Sequence, residues 1–260
     1  MKTDPVVLLS FDVEEFDLPL EYEQTIAIDQ QLAIGFEGLN RIMPLLHIKD
    51  VNTTLFTTAF FAENYPALIK DLSFHHEIAS HTYSHTHFKN EDLVDSRIKL
   101  EEISGKKVYG LRMPRMKVVE SNLVNSSGYK YNSSINPCWI PGRYDNRHIS
   151  RTIFDDNGMV QVPVSVTPTL RIPLFWLAFK NMPYQLYLRL ALKTLKHDGY
   201  LCLYFHPWEF ANIKMFDLPV YIKRANPEEL IKKLGLLISD LSNDAKFITM
   251  KEFVESNCEQ

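Results

Sequence analysis

An α/β fold on a parallel sheet that can close as a barrel is what this sequence predicts, and three observations predict it. Two short runs, VVLLSF at 6–11 and YLCLYF at 200–205, are almost wholly apolar, as strands are when helices cover their sheet. Further strand-like segments alternate with helical ones along the whole length. Finally, 260 residues of which 45% are hydrophobic can bury a sizeable core, and neither a repeat nor a linker divides them. One domain over residues 1–260 is expected.

The elements follow in order. After the strand at 6–11, an irregular stretch at 17–35 leads to a helix near 36–47. The β-branched residues at 53–58 form a second strand. Pro66 begins or interrupts a helix that ends near Leu72, and HEIAS at 76–80 is a short third strand. Residues 91–103 are helical in character, as are 117–126 after Pro114. Strands are expected at 129–133 and 159–166, then helix over 175–197 with a second segment starting at Pro183. After the strand at 200–205, Asn226, Pro227 and Glu229 supply a cap, a first helical residue and an acidic third one, starting a helix that runs to about Ser242. A strand in KFITM and a terminal helix complete the chain.

Composition narrows the function. A net charge of −4 gives no electrostatic reason to expect nucleic acid or an anionic membrane as partner. Cys138, Cys202 and Cys258 are odd in number and far apart, so no disulfide framework or CxxC metal pair shows. After Met1, Lys2 and Thr3 the first apolar run is too short for a signal peptide or membrane span, and a cytoplasmic protein without a transmembrane segment is expected. There is no Gly-rich phosphate loop, no GxSxG elbow and no HExxH.

Chemistry concentrates at strand ends. Asp12 and Glu14 follow the first apolar strand, at the rim where such folds place their sites. Spaced i,i+2, they point the same way if strand geometry persists. Alone, DVEEFD reads as a solvated acidic loop. His81 and His85 shift that balance: they follow a strand, and an i,i+4 pair shares one face if the chain turns helical there. Two imidazoles and a carboxylate leave a zinc-like ion an open position. His75 and His76 precede the strand and are not expected as ligands; His87 either lines the site or faces solvent. His206, in YFHPWEF, follows the second apolar strand and suits proton transfer, while Trp208 offers a flat surface of the kind sugar rings stack on. Arg112 could orient Asp12 or hold an acidic substrate group through its fork of donors. The aromatic stretch 171–190 reads as a packed helix ahead of a substrate-side wall or a membrane-facing surface.

With these motifs in order, the chain resembles the NodB-like polysaccharide deacetylases, carbohydrate esterase family 4, and within them a bacterial branch opening with FDVE. The resemblance spans about 6–254 and rests on five motifs. It implies a distorted (β/α) barrel with fewer than eight regular strands. Asp12 matches the family's catalytic base and Glu14 its metal carboxylate, with Val13 where a second Asp is usual. HTYSH makes His81 and His85 metal ligands, RMP makes Arg112 the residue that orients the base, and YFHP makes His206 the general acid. The fourth motif departs: Asn132 stands where an Asp is common, removing a charge that would favour protonated His206, and Glu209 is a carboxylate that could replace it. Arg115 stands where small residues are frequent and could narrow the groove or recognise an anion.

The implied activity is metal-dependent hydrolysis of an N-acetyl group on an amino sugar of a polysaccharide or its precursor in bacterial envelope or exopolysaccharide synthesis. Zn2+ is the expected ion. The expected partner is a glycan or lipid-linked precursor, met in the cytoplasm or at the inner face of the membrane through peripheral contact. Trp139, Tyr144, Trp208 and Arg115 are the candidate substrate contacts. Two alternatives stay open: an amide hydrolase for a small non-sugar molecule, and a carbohydrate-binding descendant without catalysis.

Overall fold

The first apolar run forms β1 (Val6–Val13), and every later strand is placed relative to it. The computed structural model describes residues 4–258; residues 1–3 and 259–260, which the single-domain expectation included, lie outside it. In chain order β2 (Thr54–Thr57), β3 (Glu77–Ser80), β4 (Gly110–Leu111) and β5 (Tyr131–Asn132) add beside β1, each parallel to the last. β6 (Trp139–Ile140) and β7 (Tyr144–Asp145) make a separate antiparallel hairpin. β8 (Phe154–Asp156) and β9 (Met159–Gln161) make another, and β9 joins β5 in parallel. On the other side of β1 lies β10 (Tyr200–Phe205), in register from Val6–Tyr200 to Phe11–Phe205. β11 (Lys246–Phe247) pairs with the first residues of β1.

The sheet order is β10-β1-β2-β3-β4-β5-β9-β8, with β11 beside β1. The curl is completed by the extended chain after β9. Ser165 donates its N–H to Cys202 O at 2.9 Å, and its Oγ accepts the Cys202 N–H at 2.8 Å. Among the described residues only β1, β2, β3 and β10 run four residues or more. This is the distorted (β/α) barrel that the sequence implied.

Side-chain alternation explains both layers. Val7, Leu9, Phe11 and Val13 of β1 join Leu201, Leu203 and Phe205 of β10 in the large core beneath the helices. The other face carries Leu8, Phe56, Ala79, Tyr131, Val162, Tyr200 and Cys202, a small apolar plug inside the barrel. Beyond Leu8 on that inner face β1 continues with Ser10 and Asp12. The barrel interior therefore turns from apolar to polar toward the strands' carboxyl ends.

Several elements differ from expectation. Helix α1 (Ile28–Leu46) begins eight residues before the expected start. Its glycines hide it from propensity, and they are there for packing: a Cβ on Gly35 would lie 2.3 Å from Glu14 O, and one on Gly38 1.9 Å from Pro207 O. Pro66 separates two helices, α2 (Ala59–Asn64) and α3 (Pro66–Leu72). Next comes α4 (Asp92–Ser104), close to expectation. The helix expected at 117–126 shrinks to α5 (Ser121–Ser126), because Arg115 and Met116 turn the chain through φ of 56° and 53°. Then α6 (Trp176–Asn181) and α7 (Tyr184–Asp198) break at Pro183 as expected. After the short α8 (Val220–Lys223), α9 (Pro227–Leu241) starts where predicted, with Asn226 Oδ1 accepting the Glu228 N–H at 2.9 Å. The chain closes with α10 (Met250–Cys258). No helix among the described residues is long and apolar enough to cross a membrane.

Candidate active site

The carboxyl end of the sheet gathers the chemical groups. Asp12 comes from β1, Glu14 from the residue after it, His81 from the residue after β3, Arg112 from the residue after β4, Ser133 from the residue after β5, and His206 from the residue after β10. Glu14, His81 and His85 are buried, and one ligand atom from each lies within 4.8 Å of the others. Glu14 Oε2 is 2.9 Å from His81 Nε2 and 3.2 Å from His85 Nε2. The two imidazoles face each other at 5.5 Å, but no helix brings them together. The chain between them is a turn in which Thr82 takes a φ of 64°.

The outer atoms of this group are tied down. His81 Nδ1 donates to Arg112 O at 2.8 Å, and His85 Nδ1 pairs with Asp17 Oδ1 at 2.7 Å. With Nδ1 engaged outward, each ring turns Nε2 inward, where a metal would displace its proton and take the lone pair. Trp208 Nε1 holds the other oxygen of Glu14 at 2.9 Å. Glu14 Oε2 and His81 Nε2 are buried without a hydrogen-bond partner. Burial alone would raise the Glu14 carboxyl, yet His85 and His81 outweigh it and hold it at about 2. Burial would lower His85, yet Glu14 and Asp17 push it up to about 9. Such a cluster demands positive charge between its atoms, and a divalent ion with nitrogen and oxygen ligands fits that demand.

The acidic run is not a solvated loop. Asp12, Glu14, Glu15 and Asp17 are exposed by 3%, 3%, 1% and 2%. Glu15 accepts the His85 N–H at 2.6 Å and the Thr58 hydroxyl at 2.7 Å. Asp17 also accepts from Thr86 Oγ1 and from Arg115 Nη2, each at 2.8 Å. Burial would raise Asp17, but His85 and Arg115 keep it well below the usual carboxylate range. Glu15 and Asp17 were noticed in the sequence only as acidic neighbours.

Arg112 is wholly buried and fixes Asp12 by a 2.6 Å bond from Nη1 to Oδ1. It also donates from Nη1 to Ser10 Oγ, from Nε to Ser133 O and from Nη2 to Ser133 Oγ, at 3.0, 3.1 and 3.0 Å. Its guanidinium carbon lies 4.0 Å from the centre of the Phe56 ring. Asp12 Oδ2 remains 3.8 Å from His206 Nε2. Asn132 accepts from Ser134 Oγ, whose oxygen in turn accepts the Met113 N–H at 2.8 Å. The fourth motif thus shores up the Arg112 strand end. The carboxylate at His206 is Glu209, whose Oε1 lies 3.2 Å from His206 Nδ1.

A cavity of about 360 Å3 opens over these groups. Asp12, Glu14, His81, His85 and His206 line it, with walls from the 18–22 segment, the β6–β7 hairpin and α6. Tyr144 lines it, as do Phe175 and Trp176 of the aromatic stretch. Trp208 lines it too, but is only 3% exposed, with its ring against His206 at 4.8 Å. It is no free platform for a sugar. Trp139 is 56% exposed and sits beside Arg147 on the outer side of the hairpin. Arg115 is occupied by Asp17, Glu21 and His85 O, so it braces the wall. His87 is exposed and faces a different groove. His76 is buried against Thr53, away from the cluster.

The family profile for polysaccharide deacetylase matches residues 2–131. The chain belongs to the polysaccharide deacetylase family. Solved structures carry the same fold. A provisional polysaccharide deacetylase from Mycobacterium smegmatis superimposes with a TM-score of 0.66 at 18% identity, over 98% of this chain and 94% of its own. A probable polysaccharide deacetylase from Pseudomonas aeruginosa PAO1 gives 0.67 at 15%, over 96% and 89%. A PuuE allantoinase gives 0.63 at 15%, also over 96% and 89%. No significant match is found among curated proteins. Deacetylase membership makes hydrolysis of acetylated sugars the activity class of this polysaccharide deacetylase chain.

Proposed function

We propose that this chain is a single catalytic domain that removes the N-acetyl group of an amino sugar with the help of one divalent metal ion, most simply Zn2+. The observation that carries the reading is the inward convergence of Glu14 Oε2, His81 Nε2 and His85 Nε2 between Asp12 and His206. A bound zinc ion would supply Lewis acidity toward the acyl oxygen and toward water. Arg112 presents Asp12 with its second oxygen toward the cavity, as a base that takes the proton of water. His206 returns a proton to the departing sugar nitrogen. The products are acetate and a free amine.

The cavity's volume of about 360 Å3 lies at the small end of ligand sites, roughly 300–1,000 Å3. It suits one sugar unit, such as a chain end or a precursor, better than a polymer running through. Tyr144, Phe175 and Trp176 offer aromatic faces to that unit. Tyr221, half exposed beside the cavity, and exposed Val220 give apolar surface for a lipid carrier. Both features support an envelope or exopolysaccharide precursor, lipid-linked and met at the inner face of the membrane. The same volume admits a small non-sugar amide, which is the second reading.

The test is metal content after purification, then acetate release from N-acetylglucosamine and its oligomers with and without restored zinc. One metal per chain, with release abolished in both His81→Ala and Asp12→Ala, supports the proposal. Absence of binding at excess zinc overturns it. Metal bound with release only from small non-sugar amides selects the second reading.

A further inference from the structure

Behind His206 the barrel end carries two buried charged groups, Glu209 and Lys180. Glu209 lies one turn after His206 on a short 3-10 segment (Pro207–Phe210). Its Oε1 accepts the His206 backbone N–H at 2.8 Å and lies 3.2 Å from Nδ1 of the same residue. Its Oε2 lies 3.1 Å from Lys180 Nζ, which comes from α6. The lysine donates further to Ile222 O at 3.0 Å, and its ammonium sits 5.1 and 5.7 Å from the Trp176 and Trp208 rings. Side-chain exposure is 2% for Lys180 and 0% for Glu209.

We propose that Lys180 and Glu209 form a positioning pair that fixes the tautomer and charge of His206, in place of a carboxylate at Asn132. This deepens the hydrolytic reading and rests on it for its catalytic meaning. A dry ion pair is costly unless its geometry is well satisfied, and this one spends its second oxygen on one imidazole. A carboxylate that faces Nδ1 requires N–H there, so the exchangeable proton of His206 is carried on Nε2, the atom that faces Asp12. The other groups around His206 act with or around this pair. Asp12 and Glu14 add negative charge on the cavity side, and Arg112 is engaged by Asp12. Tyr204, Trp176 and Trp208 enclose the ring with aromatic faces and edges. Tyr204 stays neutral because burial raises its phenol. Burial would lower His206, and Glu209, Glu14 and Asp12 reverse that. Burial would raise Glu209, and Lys180 with His206 keeps it ionised.

The test uses protein labelled with 15N-histidine, with His206 assigned by comparison with His206→Gln. In the wild-type chain, neutral His206 should carry its proton on Nδ1. A resonance pair showing the Nε2–H tautomer overturns the proposal without any variant at Glu209. In Glu209→Gln the His206 titration should move down by about one unit or more, and Glu209→Asp should recover part of it. The alkaline limb of acetate release from N-acetylglucosamine oligomers should move with it while KM is kept. An unmoved titration in folded Glu209→Gln overturns the proposal. The ring titrations need no substrate, so failure of the deacetylase reading would show separately, as absence of release from any oligomer.

Discussion

Asp12, Glu14, Glu15 and Asp17 stand within six residues and are all buried, a density of like charge that only separate partners can sustain. Each has its own: Arg112 for Asp12, the imidazoles and Trp208 for Glu14, Thr58 and a backbone N–H for Glu15, and His85 with Arg115 for Asp17. Asp17 touches no ligand atom of the cluster directly, yet it holds the ring of His85. Asp17→Asn should therefore weaken zinc binding by about 10–100-fold, the usual cost of losing a ligand's outer partner. Calorimetric titration of the metal-free protein measures this, and unchanged affinity would show that His85 is held by something else. The candidate ligands His81 and His85 were legible in the sequence because paired histidines just after a strand are conspicuous. Asp17 and Lys180 were not, because an acidic neighbour or a lysine within an aromatic stretch looks like ordinary surface until the fold folds it inward.

At the scale of the element, α1 shows where legibility fails. Gly35 and Gly38 lower helix propensity, so the sequence suggests a start at Phe36 while packing sets it at Ile28. Gly35→Ala places a methyl 2.3 Å from Glu14 O and should cost about 1–3 kcal/mol or more, as overpacking does. Gly235, inside α9, is a contrasting control. Its Cβ would meet only Leu45 Cδ2 at 3.4 Å, and Gly235→Ala should stabilise by about 0.5–1 kcal/mol. Urea unfolding of both variants tests the pair, and equal effects would mean that propensity alone governs the glycines. The β6–β7 hairpin escaped notice for a different reason. Two-residue strands have no period to read, although they wall the cavity. The long apolar strands, by contrast, declared both themselves and the fold class.

For the molecule as a whole, two adjacent residues set opposing responses to pH. Burial, with His75 and His47 nearby, lowers His76 to about 4 from 6.5 in the unfolded chain, so its contribution falls away as pH drops from 6.5 to 4. The full difference is roughly 3 kcal/mol. Glu77 runs the other way: burial, partly offset by Lys251, Thr54 and Tyr131, pushes it up to about 7 from 4.5. Its contribution is present in acid and is lost as pH rises through 7. Between pH 4.5 and 6.5 the two nearly cancel. His76→Asn should then become more stable from neutrality toward pH 4.5, relative to wild type, and Glu77→Gln less stable. Denaturation profiles at several pH values decide this, and parallel profiles for all three chains would refute it.

The pairing of Val6 with Tyr200 has a further consequence, in time. The strand that bears Asp12 and leads into Glu14 acquires its β10 neighbour only after nearly the whole chain has been made or has collapsed. Contacts between such distant segments are slow to close. The three candidate ligands all lie in the first third of the sequence, but His206 and Trp208, which complete their surroundings, arrive with β10. Metal capture and catalytic competence should thus appear late in refolding, together with the burial of Trp208, and a half-made chain should carry the ligands without the reaction.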